Sequence, residues 1–285
     1  MTNLNAMLNK NHNMDCIDGM KLLPENCIDL IVTSCPYNVG IDYDIYKDDR
    51  SMDEYFKWTK EWLSEVYRTL KPDGRIALNV PIEINIKERG GRYFMSAEIW
   101  AIMKEVGFKF FGMVDLEEDT PHRVKHTAWG SWMSASGPYL YNPKECVILA
   151  YKDSPIKLTK GVSEWAYQIE EYTAKDGKAK QKRNYTEEDK KEFMDLVFAR
   201  WHYTADKKTL TKATFSLDIP LKAIKILTYR DDIVMDPFSG SGTSLLGAEM
   251  LNRKWIGFEL SPKYVEIANK RIKEYTDQFS QIEAF

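Results

Sequence analysis

The stretch DIVMDPFSGSGT, residues 232–243, constrains this chain more than any other. A strand-like apolar run leads straight into a Gly-Ser-Gly turn. A helical pattern (244–251) and a second strand, KWIGFEL (254–260), follow it. That order is a βαβ unit, which requires parallel strands joined by a crossover helix. Gly240 and Gly242 let the backbone come close to a ligand at the carboxyl end of the first strand, where open α/β sheets bind ligands. The spacing is not G-x-G-x-x-G, because Thr243 follows directly. No Lys follows the second glycine, so a phosphate loop is not supported. Glu259 ends the next strand, where an acid can accept hydrogen bonds from ribose hydroxyls.

The first half repeats the alternation. CIDLIVTS (27–34) reads as a strand buried on both faces. Tyr55, Thr59, Trp62, Leu63, Val66 and Leu70 recur at helical spacing over 51–70, with Ser51 and Glu54 as a capping box. Pro72-Asp73-Gly74 predicts a turn that releases the strand RIALNVP (75–81). A helix over 96–106 ends at Gly107, and FKFFGMV (108–114) is the next strand. The pattern is α/β, a mostly parallel twisted sheet with helices on its faces.

Residues 115–145 are rich in Gly, Pro, Ser and aromatics and show no sustained period, before the strand CVILAYK (146–152). The basic run KDGKAKQKR (175–183) reads as a solvated linker, with phosphate contact as the alternative. A capped helix follows from Thr186 with Phe193, Leu196 and Val197 on one face. Residues 219–229 and a long segment from Pro262 are further helices. Three parts emerge, 1–114, 115–210 and 211–285. The middle one is irregular but contributes strand 146–152 to the core.

Composition excludes some functions. A net charge of −3 does not advertise a nucleic-acid binder, although a local basic face would suffice. The four cysteines form no C-x-x-C pair and no metal-like spacing with the four histidines, so no metal is expected and a reduced, cytoplasmic setting is. The polar N-terminus does not read as a signal peptide, and no apolar run approaches a membrane span.

The other unusual corner is TSCPYN (33–38), which closes the first buried strand. With DPFSGSGT and FELSPKY (258–264) it resembles the S-adenosylmethionine-dependent amino-methyltransferases that act on DNA. TSCPYN is similar to their [DNS]-P-P-[YFW] catalytic loop in its Ser form. The lead-in NMDCIDGMKLLPENCIDLIV (13–32) and the segments TAWGSWMSASGP (127–138) and KATFSLDIPLKAIKIL (212–227) also resemble that family. The catalytic loop precedes the cofactor turn, which is the permuted order of the family's beta group. The resemblance implies a Rossmann-like class I methyltransferase fold with an inserted irregular DNA-recognition region.

By that resemblance Ser34, Cys35, Pro36 and Tyr37 are catalytic. Ser34 Oγ and the Cys35 carbonyl are the candidate acceptors for the two amine N–H groups, Pro36 aims that carbonyl, and Tyr37 stacks on the base. Asp236, Phe238, Gly240, Gly242 and Thr243 shape the pocket for the methionine part of the cofactor. Thr214, Phe215 and Ser216 stand where the family contacts it as well, with Ser216 in place of a common Pro. Glu259 holds the ribose and Asp15 reaches the adenine amine. Arg123, Lys125, Trp129 and Trp132, and Lys178, Lys180, Lys182 and Arg183, are candidate DNA contacts.

The thiol of Cys35 raises the nucleophile of 5-methylcytosine enzymes as a rival, but there the Cys follows the Pro. The implied partner is double-stranded DNA. A homodimer and a cognate restriction endonuclease are further partners that the resemblance brings. The Ser form points to N4 of cytosine, with N6 of adenine as the alternative. RNA or protein methylation and a non-catalytic DNA-binding module stand further off.

Overall fold

In the computed structural model the described residues are 4–86, 91–118, 131, 133–138, 140, 142–165, 169–183, 185–204 and 215–282, apart from the side chains of 169–171, 180–183 and 279–282. The elements are α1 (Leu4–Met7), β1 (Lys10–Asn13), α2 (Cys16–Lys21), β2 (Ile28–Ser34), α3 (Met52–Thr69), β3 (Leu70–Pro81), β4 (Ile84–Ile86), β5 (Gly91–Tyr93), α4 (Met95–Val106) and β6 (Lys109–Glu118). There follow β7 (Glu145–Tyr151), β8 (Ile169–Thr173), β9 (Ala179–Arg183), α5 (Glu187–Val197), β10 (Arg200–Tyr203), α6 (Asp218–Leu227), β11 (Ile233–Asp236), α7 (Thr243–Met250), β12 (Lys254–Glu259) and α8 (Pro262–Ile282).

Eight strands form one sheet in the order β1-β12-β11-β2-β3-β7-β6-β10. Only β7 runs antiparallel to its neighbours β3 and β6; the other pairings are parallel. The central strands feed both faces, alternately except where the irregularity between Ile28 and Leu30 shifts the phase in β2. Ile28 and Ile31 of β2 join one apolar cluster with Trp62, Leu63 and Val66 of α3 and Ile99 and Met103 of α4. Leu30 and Val32 join a second cluster with Ala223 of α6, Leu245 of α7 and Ile272 of α8. Both faces are covered, which is why the central strands read as largely apolar runs without a clean alternation.

The capping boxes at Ser51–Glu54 and Thr186–Asp189 form as their spacing predicts. Several local expectations are corrected. Pro72-Asp73-Gly74 does not delay the strand, since β3 already starts at Leu70 and pairs with β2 across an irregularity near Ile28. On α5 only Leu196 is buried, while Phe193 and Val197 stay exposed; Phe193 meets Trp165 edge-on instead. The basic run is not a linker, because β8 and β9 pair as an antiparallel hairpin with Lys178 in its exposed turn. The polar strand β1, at one edge, and the short β10, at the other, carry too little apolar pattern to be read in advance. The middle part thus gives β10, as well as β7, to the main sheet.

Strand order places the site. From β11 the chain order runs outward through β12, whereas from β2 it runs the other way through β3. The crevice at the carboxyl ends of β11 and β2 is therefore the switch point where such sheets bind ligands. Two corners about two hundred residues apart in sequence become neighbours there.

Candidate active site

A cavity of about 540 Å³ opens at this switch point. The glycine turn after β11 forms one wall. Asp236, the last residue of β11, is buried, and its Oδ1 accepts from Thr33 Oγ1 at 2.6 Å and from the Phe238 amide at 3.0 Å. Burial pushes this carboxyl up to about 6. Gly240 and Gly242 take positive φ, 48° and 75°. A Cβ on Gly242 would lie 2.7 Å from the Ala268 side chain on α8, so Gly is required twice over.

Glu259 Oε2 accepts from the Gly240 amide at 2.9 Å, and Oε1 accepts from the Ser261 amide at 2.8 Å. The acid at the strand end thus braces the glycine turn while facing the cavity. Burial raises its pKa against those two backbone bonds. Phe238 both lines the cavity and packs, with its ring 5.2 Å from Trp62 and 5.5 Å from Trp58.

Asp15 lines the cavity too, but its Oδ1 caps α2 by accepting from the Ile17 amide at 2.8 Å and the Asp18 amide at 3.2 Å. Phe215 and buried Ser216 line it as well, and Ser216 Oγ donates to the Thr204 carbonyl at 2.9 Å. Thr214 lies outside the described residues.

The opposite wall is the turn after β2. Ser34, Cys35, Pro36 and Tyr37 all line the cavity. Tyr55 of α3 donates from Oη to the Pro36 carbonyl at 2.9 Å and stands 3.9 Å from Cys35 Sγ. Asp48, 1% exposed, accepts from the Asn38 and Val39 amides at 2.8 Å each, closing the turn behind Tyr37, with Asn38 at φ 59°. The Cys35 side chain is 3% exposed, and burial raises its pKa to about 12. A neutral, buried thiol is a poor nucleophile.

Tyr37 does more than present a ring. Its Oη lies 2.8 Å from Ser34 Oγ and accepts from Asn79 Nδ2 at 2.9 Å; the same Nδ2 donates to Glu145 Oε2 at 2.6 Å. Asn79 stands directly beside Ser34 in the β2–β3 register. Burial raises both Tyr37 and Glu145, and the neighbouring Glu118 raises Glu145 further.

Asn79, Glu118, Glu145 and Tyr203 are lining residues that sequence reading missed. Only Asn79 left a signal, as a lone amide inside the apolar run of its strand. Arg50, 4.5 Å from the Trp58 ring centroid, was also missed.

Among the described residues the lining carries six acids, Asp15, Asp44, Glu118, Glu145, Asp236 and Glu259, against one cation, Arg50. Such a wall suits a ligand with a positive centre and hydroxyl groups, and repels phosphate. Of the DNA candidates, Lys178 is exposed and Lys180, Lys182 and Arg183 belong to β9. Arg123, Lys125, Trp129 and Trp132 lie outside the described residues.

Comparison with known proteins points to one family. A family model described as DNA methylase matches residues 28–270. The Type II methyltransferase M.MjaVI of Methanocaldococcus jannaschii is 46% identical over 142 residues, 50% of this chain and 71% of that protein. M.HpaI of Haemophilus parainfluenzae, also a Type II methyltransferase, is 26% identical over 94% of this chain and 76% of its own length. Among solved structures, a protein of Thermus thermophilus described as a putative DNA modification methylase, in complex with S-adenosyl-L-methionine, superposes with a TM-score of 0.67 at 21% identity, over 93% of both chains. The cytosine-N4-specific PvuII DNA methyltransferase superposes at 0.63 with 19% identity, over 96% of this chain and 93% of that one. No helix among the described residues is long and apolar enough to cross a membrane.

Proposed function

This chain belongs to the DNA methylase family of N4- and N6-directed amino-methyltransferases, and from that premise we propose that it methylates the exocyclic N4 amine of a flipped-out cytosine in DNA, using S-adenosylmethionine. The observation that carries the reading is one cavity holding both the Ser34–Tyr37 turn and the Asp236–Glu259 wall. The six-to-one excess of acids fits a sulfonium cation with a ribose, and about 540 Å³ is ample for it. Glu259 would hold the ribose, Asp15 the adenine end, and Asp236, Phe238 and the glycine turn the methionine part. Bound there, S-adenosylmethionine supplies an electrophilic methyl group.

The protein's own task is to make a poor nucleophile attack. The lone pair of an exocyclic amine is delocalised into the ring. Acceptors on its two N–H groups favour a pyramidal nitrogen whose lone pair is free. Ser34 Oγ and the Cys35 carbonyl supply them; Pro36 biases Cys35 toward the extended conformation that aims its carbonyl, and the Tyr55 hydroxyl fixes the turn by its bond to the next carbonyl, that of Pro36. Tyr37 presents its ring to the base with its hydroxyl anchored, so the plane is set before substrate arrives. Ser34, in place of an acid at that position, favours cytosine.

A paired base cannot reach this cavity, so flipping is required, at roughly a few kcal/mol. The 115–210 part would grip the duplex. The β8–β9 hairpin, with Lys178, Lys180, Lys182 and Arg183, is the basic element available for phosphate contacts, and Arg123, Lys125, Trp129 and Trp132 are the candidates in the irregular stretch. Its relatives' Type II designation extends the reading to a modification enzyme that protects DNA from a restriction endonuclease.

Incubation with mixed-sequence DNA and methyl-labelled cofactor, followed by nucleoside mass spectrometry, tests the reading. N4-methylcytosine is expected. N6-methyladenine alone would overturn the base assignment. A cofactor-induced thermal shift without methyl incorporation into any DNA would support a binding module instead.

A further inference from the structure

Resting on the cofactor placement given above, we propose that Arg50 anchors the carboxylate of S-adenosylmethionine, a charge that the residues of the two turns leave unanswered.

Arg50 stands just ahead of Ser51, the cap of α3, and its backbone is fixed on both sides. Asn38 Nδ2 donates to the Arg50 carbonyl at 2.9 Å, and the Ser51–Glu54 box sets the residues that follow. The side chain packs against two rings. Its guanidinium carbon lies 4.5 Å from the Trp58 ring centroid and 5.4 Å from that of Tyr46. Such packing holds the planar fork in one orientation, ready for an anion that takes two parallel N–H groups.

The nearest acids in sequence do not use that fork. Asp48 gives its two oxygens to the Asn38 and Val39 amides, at 2.8 Å each. Glu54 Oε2 accepts from the Ser51 amide at 3.1 Å and from Ser51 Oγ at 2.7 Å. Among the described residues no carboxylate pairs with the Arg50 guanidinium, and no acceptor meets its buried Nη1. A half-buried cation left without a counter-charge is destabilising, and a ligand anion relieves it.

The cofactor carries such an anion. Beside its sulfonium and α-ammonium it has a carboxylate. The six acids of the lining attract the cationic centres and repel the carboxylate. Arg50 is the one cation among the described lining residues. The Trp58 ring that supports it lies 5.5 Å from the Phe238 ring, in the wall assigned above to the methionine part. The same acids disfavour a DNA phosphate at this place. Arg50 therefore answers the methionine carboxylate with a charge-assisted pair.

Calorimetry tests this without turnover, using S-adenosylmethionine and its decarboxylated analogue, which keeps the sulfonium, the amine and the ribose. Wild type should bind the cofactor about tenfold or more tightly than the analogue. In Arg50→Gln that preference should vanish or reverse, because only acids then face the carboxylate, while affinity for the analogue is kept or improved. DNA affinity, measured without cofactor, should stay within about twofold of wild type.

Wild type that binds the analogue as tightly as the cofactor overturns the proposal, with no variant needed. So does an Arg50→Gln protein that keeps the preference, or one that loses affinity for both ligands alike, the mark of a residue that only packs the Tyr46–Trp58 corner. A fall in DNA affinity with the preference intact assigns Arg50 to a phosphate and overturns it as well. Failure of wild type to bind either ligand would instead overturn the cofactor placement on which the proposal rests.

Discussion

Thr33 Oγ1 donates a 2.6 Å hydrogen bond to Asp236 Oδ1, joining residues 203 positions apart at the ends of two neighbouring parallel strands. Thr33 immediately precedes Ser34, and Asp236 leads into the Gly240–Gly242 turn. The bond thereby holds the Ser34–Tyr37 turn against the glycine turn across the cavity.

Asp236 should cost stability in its charged form. Its carboxyl titrates at about 6 in the folded protein against an ordinary 3.8. The folded state thus holds the proton to higher pH than the unfolded chain. Stability is full below about pH 4, falls as pH rises toward 6, and stays lower above that by about 3 kcal/mol. Asp236→Asn keeps an oxygen for Thr33 and the Phe238 amide but cannot ionise. Its melting temperature should gain on wild type steadily between about pH 4 and 6, while cofactor affinity falls. Parallel melting curves across that range would refute the account.

Gly242→Ala should destabilise by about 1–3 kcal/mol, since it combines a left-handed backbone with a Cβ 2.7 Å from Ala268. Adding Ala268→Gly should recover the steric part and leave the backbone part. Thermal melts of the two single variants and the double variant separate the two costs.

Glu259→Gln should weaken cofactor binding by about tenfold or more, measured by calorimetry. Both carboxylate oxygens accept backbone N–H groups, from Gly240 and Ser261. An amide nitrogen in place of either oxygen sets donor against donor and loosens the turn that it braces.

Cys35→Ala should keep methyl transfer within about threefold of wild type, because a neutral, buried thiol takes no part in the chemistry. The Tyr55 bond that holds the turn goes to the Pro36 carbonyl and survives the change. Tyr37→Ala should nearly abolish transfer by removing both ring and hydroxyl. Single-turnover assays with cofactor binding measured in parallel distinguish chemistry from binding. Loss of activity in Cys35→Ala with intact binding would contradict this role for Cys35.

Charge reversal at Lys178, Lys180 and Lys182 tests the hairpin. DNA affinity should fall across all sequences, and the slope of log affinity against log salt should shrink by about one for each phosphate no longer neutralised. Cofactor affinity should not move.

Local order was readable where a local cause produces it. Ser51 with Glu54 and Thr186 with Asp189 cap helices because the partners sit three residues apart. The Gly240–Gly242 turn demands positive φ wherever it folds. The runs of β2 and β11 are mostly apolar because both of their faces are buried. The β8–β9 hairpin was not readable, since the alternation of Lys with small and polar residues in β9 matches that of a solvated segment. Nor was the exposure of Phe193 and Val197, because spacing defines a helix face without saying whether a partner covers it.

By itself, the sequence determined that this is an α/β chain with a glycine turn, a strand-end acid and a Ser-Cys-Pro-Tyr corner. Each of those follows from backbone constraints spanning a few residues. Only the tertiary structure decided that β11 lies beside β2, that β7 enters antiparallel between β3 and β6, and that β10 closes the far edge. Strand order is set by how the two helical layers bury both faces of the sheet, a property of the whole chain. That order brings Asn79, Glu118, Glu145 and Tyr203 to one end of the sheet beside Ser34 and Tyr37. The hydrogen bond that anchors the Tyr37 hydroxyl from Asn79 comes from a residue that no local motif could have joined to that corner.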